Sequence, residues 1–178
     1  PKNQTTADSF DVFLSSPAVA GGVVYFGSGD GNVYALDGAS GDLLWTFRTG
    51  DVVHSSPAYA DGVVYFGSWD SYFYAVDAKT GALKWRFHGG EDPLIHNQVG
   101  FQSSPAVIDG VVYTGCRDSK LYAIDAATGR EKWHFDAAGS WVISSPAVAQ
   151  GKVVFGTSHS SLYLVLDAET GKEVVRQQ

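Results

Sequence analysis

Methionine is absent from the 178 residues, cysteine occurs once, as Cys116, and lysine and arginine together number 12 against 19 aspartates and glutamates. Each shortage excludes something. A single cysteine cannot form an intrachain disulfide. The net charge of −7 argues against nucleic acid and anionic membrane surfaces as partners, because both require a basic face. No apolar run approaches the roughly 20 residues that cross a bilayer, so no membrane insertion is expected. The opening Pro1-Lys2-Asn3-Gln4-Thr5-Thr6 is polar and does not read as a signal peptide. With proline first and no methionine anywhere, the chain reads as a processed protein or a piece of a longer one. Charge is scarce at 17% while apolar residues reach 44%, which predicts one compact globular domain and not a disordered chain.

What the sequence does contain, it repeats. Ser55-Ser56-Pro57-Ala58, then Gly62-Val63-Val64-Tyr65-Phe66-Gly67-Ser68, then Tyr74-Ala75-Val76-Asp77, Thr80-Gly81 and Trp85 follow one another in an order that begins again at Ser15, Ser103 and Ser144. The anchor prolines Pro17, Pro57, Pro105 and Pro146 lie 40, 48 and 41 residues apart. A period of about 40 with several short strands in each unit indicates a propeller blade or a solenoid repeat.

Each unit reads as four strands after a flexible segment at residues 1–9. Strand A holds Ser-Ser-Pro-Ala and the next few residues. Strand B is Val23–Ser28, Val63–Ser68, Val111–Cys116 or Val153–Thr157. Strand C is Val33–Leu36, Phe73–Val76, Leu121–Ile124 or Leu162–Leu166. Strand D surrounds Trp45, Trp85, Trp133 and Val175. Asp61-Gly62, Asp109-Gly110, Gly21-Gly22 and Gln150-Gly151 are A–B hairpin turns that tolerate positive φ. The Asp-x-x-Thr-Gly stretches from Asp77, Asp125 and Asp167, and their relative at Asp37, suit C–D turns in which the aspartate accepts backbone N–H groups. Val23 to Phe26 and Val63 to Phe66 are apolar on both faces, so each sheet needs cover on both sides. Radial stacking provides that, and a two-layer sandwich does not. The predicted fold is all-β, a β-propeller of four-stranded antiparallel blades over residues 10–178, with blades at about 10–50, 51–90, 91–136 and 137–178.

The run Ala75-x-Asp77-x-x-Thr80-Gly81-x-x-x-Trp85 resembles the tryptophan-docking motif of the pyrroloquinoline-quinone (PQQ)-like repeat propellers. Ala123, Asp125, Thr128, Gly129 and Trp133 repeat it in full, and Ala35, Asp37, Gly41 and Trp45 repeat it with Ser40 for the threonine. The fourth copy departs: Leu164 is expected at the alanine position, with one residue inserted before Asp167, and Val175 replaces the tryptophan. The resemblance implies that the indole of one blade stacks on its neighbour. It further implies a periplasmic or extracellular protein, either a non-catalytic scaffold or ligand-sensing module or a piece of a PQQ- and calcium-dependent quinoprotein dehydrogenase. The single cysteine, where many such dehydrogenases have an adjacent pair, and the lack of a calcium-binding set favour the scaffold with no cofactor.

Candidate functional residues are those where the repeats stop agreeing. With strand A innermost, the D–A and B–C loops share one face. His54, Trp69, Asp70, Arg117, Asp118, Trp141, His159 and His96 fall there, the last within a long D–A loop from Gly89 to Gly100 that also carries Glu91 and Asp92. That face would bind a protein partner. Simpler roles stand beside this one. Asp30, Asp70 and Asp118 recur in register as turn formers. Trp69 covers a blade rim, Arg117 pairs with a neighbouring aspartate, and Cys116 is inert packing. Five histidines without ligand spacing do not make a metal site. Four blades close alone, remain open, or pair with a second copy into an eight-bladed ring.

Overall fold

The structure is a computed structural model in which residues 15–90, 100–158 and 163–177 are described, with no helix among them. Four antiparallel sheets follow one another along the chain. The first holds β1 (Ala18–Ala20), β2 (Val23–Gly27), β3 (Asn32–Asp37) and β4 (Leu43–Arg48). The second holds β5 (Ala58–Ala60), β6 (Val63–Gly67), β7 (Tyr72–Asp77) and β8 (Leu83–His88). The third holds β9 (Ala106–Ile108), β10 (Val111–Gly115), β11 (Lys120–Asp125) and β12 (Glu131–Asp136). The fourth holds β13 (Ala147–Ala149), β14 (Lys152–Gly156), β15 (Tyr163–Asp167) and β16 (Glu173–Gln177). The innermost strands β1, β5, β9 and β13 approach one another in order, so the sheets fan out as propeller blades.

The turns take the predicted conformations. Asp61 and Gly62 have φ of 49° and 77°, and the pair Gln150-Gly151 has 50° and 68°, the two successive positive values of a tight hairpin turn. In the C–D turn, Asp77 Oδ1 accepts the backbone N–H groups of Lys79 and Thr80 and the Thr80 hydroxyl.

Strand A differs from expectation. Its strand portion is three residues, and Ser-Ser-Pro stands outside it. Those serines bond across blades instead. Ser16 N donates to Ser56 Oγ at 2.8 Å, Ser56 N to Ser104 Oγ at 2.9 Å and Ser104 N to Ser145 Oγ at 3.2 Å. Ser55 Oγ reaches Ser103 O at 3.1 Å, and Ser103 Oγ reaches Ser144 O at 2.8 Å. Backbone groups near the axis have no strand partner on that side and would otherwise go unsatisfied.

The core lies between blades. Tyr25, Val33, Ala35 and Trp45 of the first blade pack on Val64, Phe66, Tyr74, Val76 and Ala78 of the second. Equivalent clusters join the second blade to the third and the third to the fourth. No hydrophobic cluster among the described residues joins the fourth to the first. Trp45 Nε1 donates to Ala78 O at 2.9 Å, and Tyr25 OH donates to the same carbonyl at 3.2 Å. Trp85 and Tyr65 treat Ala126 O in the same way, as Trp133 and Tyr113 treat Ala168 O. Each indole also lies on the next turn's glycine: a Cβ on Gly81 would sit 2.8 Å from Trp45, and one on Gly129 2.7 Å from Trp85.

The fourth copy needs a correction. Val165 pairs with Val175, as Ala75 pairs with Trp85, so Val165 and not Leu164 holds the alanine position. Tyr163 pairs with Gly156 as Phe73 pairs with Gly67, which places the extra residue in the B–C loop and leaves Asp167 in register. Strand pairing fixes this where the sequence alone left two apolar residues to choose from.

Candidate functional site

The D–A segments and B–C loops interlock on one face. Val53 N donates to Ser28 O, and Trp69 N donates to Val52 O, so the linker after the first blade is held between two B–C loops. Phe101 N to Ser68 O and Arg117 N to Gly100 O repeat the arrangement one blade on. The strapping fixes where each loop side chain begins.

Four of the sequence-predicted residues come together there. The Arg117 guanidinium lies over the Trp69 ring at 4.0 Å and over the Trp141 ring at 5.2 Å. Its Nη2 donates to Gln102 Oε1 at 2.7 Å. His54 meets Trp69 edge-on, with ring centroids 5.0 Å apart and planes at 75°. Arg117 is not an exposed anchor, since only 6% of it is accessible, while Trp69, Trp141, His54 and Gln102 are half-buried. Burial lowers the guanidinium pKa from its ordinary value. An Arg over two indoles is held by cation–π attraction to each ring.

Asp70 and Asp118 do a different job. Asp70 Oδ2 accepts Gly50 N at 2.7 Å and Tyr74 OH at 2.7 Å, while Oδ1 accepts Tyr72 N. Asp118 Oδ2 accepts Gly90 N and Tyr122 OH, and Oδ1 accepts Lys120 N. Each carboxylate ties its own B–C loop to the segment arriving from the preceding blade. Burial first, and then these bonds, push the Tyr74 and Tyr122 pKa values well above the ordinary tyrosine value. Asp30 accepts Asn32 N and Tyr34 OH within the first blade alone.

Cys116 is buried, and desolvation raises its thiol pKa, so it is a packing group and not a nucleophile. No three His, Cys, Asp or Glu side chains converge among the described residues. His96, Glu91 and Asp92 of the long loop, and His159, lie outside the described residues.

The sequence did not reveal Gln102 as a partner of Arg117. The signal was present. Gln102 opens its repeat where His54 opens the previous one, and Arg117 follows strand B where Trp69 does. His54–Trp69 and Gln102–Arg117 are thus one pair position filled twice with different chemistry.

A family model described as outer membrane protein assembly factor BamB matches residues 3–135 and, overlapping, residues 95–178. No curated protein matches the sequence. Among solved structures, BamB from Moraxella catarrhalis aligns with TM-score 0.74 and 22% identity over 90% of this chain and 47% of its own. Quinohemoprotein alcohol dehydrogenase from Comamonas testosteroni aligns with TM-score 0.82 and 22% identity over 93% of this chain and 34% of its own. A europium-containing methanol dehydrogenase aligns with TM-score 0.79 and 18% identity over 93% of this chain and 42% of its own. The chain therefore spans less than half the length of each of these relatives.

Proposed function

Because the chain belongs to the BamB family of PQQ-like repeat propellers, we propose that it is a non-catalytic scaffold whose loop face binds a protein partner. The Trp69–Arg117–Trp141 stack carries this reading. Aromatic side chains are common anchors of protein interfaces, and the half-buried Trp69 and Trp141, with the buried Arg117 beneath them as support, stand where the repeats diverge. The family's description names the outer membrane, which supports an extracytoplasmic setting.

Three features of the described residues support a reading without PQQ and calcium. Arg117 already lies over the Trp69 ring at 4.0 Å and the Trp141 ring at 5.2 Å. Asp70 and Asp118 each already accept three hydrogen bonds, so they are poor calcium ligands. A lone buried Cys116 supplies no cysteine pair.

A Trp69→Ala/Arg117→Ala variant, shown to be folded by far-UV circular dichroism, should lose partner capture in pulldown from cell extract. Full retention would reject this face. Adding PQQ and calcium should leave the visible spectrum unchanged. A stoichiometric new band would move the chain to the dehydrogenases, the reading that the alcohol dehydrogenase likeness favours.

A further inference from the structure

A surface pocket of about 250 Å³ lies on the first blade, between its B–C loop and the linker that follows β4. Gly29, Asp30 and Gly31 of the loop line it together with Arg48, Asp51 and Val52. Gly29 stands after Gly27 as Trp69 stands after Gly67 and Arg117 after Gly115. The first blade therefore has no side chain where the next two carry an indole and a guanidinium. The linker is fixed in place: Thr49 N donates to Gly31 O at 2.9 Å and Gly50 N to Asp70 Oδ2 at 2.7 Å. A wall held in this way costs little ordering when a ligand arrives.

The pocket holds opposite charges that do not satisfy each other. Arg48 is exposed, and its one hydrogen bond among the described residues runs from Nη1 to Asp30 O at 3.4 Å. Asp51 Oδ1 accepts Val52 N at 2.8 Å, and Oδ2 has no donor among the described residues. The Asp30 oxygens are in use, by Asn32 N and Tyr34 OH. No ion pair among the described residues joins Arg48 to either carboxylate.

This arrangement selects by charge. A purely anionic ligand would meet Asp30 and Asp51, and a purely cationic one would meet Arg48. A metal ion lacks a ligand set, since no three ligating side chains converge among the described residues. A ligand with both charges is attracted at both ends, its carboxylate to the Arg48 guanidinium and its ammonium to the Asp51 carboxylate. The volume is below the roughly 300–1,000 Å³ of pockets for drug-sized molecules, so the ligand is small.

We propose that this pocket binds a small free α-amino acid, with Arg48 holding its carboxylate and Asp51 its ammonium group. Val52 is the one apolar side chain in the lining, so a short or polar ligand side chain fits best. The site uses neither Trp69 nor Arg117 and stands or falls separately from the partner-binding face.

The probes are the standard free amino acids, titrated into the whole chain at neutral pH and followed by amide NMR. At least one should bind saturably and move the signals of Gly29, Gly31, Arg48 and Asp51. Arg48→Gln and Asp51→Asn should each weaken that binding at least about tenfold. Capping the ligand as its N-acetyl derivative or as its amide should do the same. Gly29→Trp, which copies the second blade, should fill the pocket and abolish binding. Trp69→Ala/Arg117→Ala should bind as the parent does. No saturable binding by any amino acid overturns the proposal. So does undiminished binding of the N-acetyl form, which would mark an anion site, or of the amide, which would mark a cation site. Loss of binding in the Trp69/Arg117 variant would move the ligand to the other face and equally overturn it. Should Gly29→Trp fail to fold, the exposed Arg48→Gln and Asp51→Asn decide alone, and full binding in either defeats the proposal.

Discussion

The indole nitrogen of Trp85 donates to the carbonyl oxygen of Ala126 at 2.9 Å, joining strand β8 of the second blade to the C–D turn of the third. Tyr65 OH shares that carbonyl at 3.3 Å, and the indole covers Gly129. One acceptor with two donors gives each junction a polar fixed point within an apolar interface.

Trp85 is 9% exposed, so Trp85→Ala should cost about 3–5 kcal/mol in urea melts, as for other large-to-small core changes. Trp85→Phe should cost about 1–2 kcal/mol, because Tyr65 still satisfies Ala126 O. Equal costs for the two would show that packing contributes nothing beyond the hydrogen bond.

Two glycines separate backbone strain from indole contact. Gly62 and Gly129 both have positive φ, 77° and 71°, but a Cβ on Gly62 meets nothing within 4 Å while one on Gly129 meets Trp85. Gly62→Ala should cost about 1–2 kcal/mol from φ alone. Gly129→Ala should cost at least about 1 kcal/mol more, from overpacking. Indistinguishable melting midpoints would remove the glycine from the docking geometry.

Acid should weaken the C–D turns. The Thr80 hydroxyl and then its N–H hold the Asp77 carboxyl below the ordinary value of 3.8, and Thr128 and Thr170 do so for Asp125 and Asp167. A carboxylate with a depressed folded pKa contributes stability that is present above the unfolded pKa and is lost as pH falls through the folded one. Thermal melting should therefore drop below about pH 4. A triple Asp→Asn variant at these positions should drop less steeply over the same range. Parallel curves would place the acid sensitivity elsewhere.

Trp69 serves the neighbouring blade as well as the loop face. Read from sequence as a loop residue, its replacement by alanine should cost under about 1 kcal/mol. Stacked on Arg117 and edged by His54, it should instead cost about 1–3 kcal/mol, and Trp69→Phe should recover much of that. A loss within error of zero in denaturant melts would restore the simpler reading.

The fold was legible because its rules are local and repeated. Asp-Gly pairs, two-faced Val-Val-Tyr-Phe runs and the Asp-x-x-Thr-Gly turn each carry their geometry within a few residues. Asp70 and Asp118 were readable as turn formers for the same reason, although their reach to Gly50 N and Gly90 N was not. The role of the serine pairs was hidden, because Ser56 bonds Ser16 and Ser104 across 40 and 48 residues. The position of Leu164 was misjudged because Leu, Val and Leu are interchangeable in apolar pattern, and only pairing with Val175 fixes register. The burial of Arg117 was equally out of view, since it depends on two indoles from different loops.

Every junction points the same way along the chain, with the indole ahead of its acceptor by 33 residues for Trp45, 41 for Trp85 and 35 for Trp133. Synthesis from the N-terminus therefore always makes the anchor before its berth. A nascent chain at the ribosome carries one undocked tryptophan until the following C–D turn emerges, and each new blade meets a waiting indole as it leaves. Assembly is then vectorial, one blade setting the register of the next.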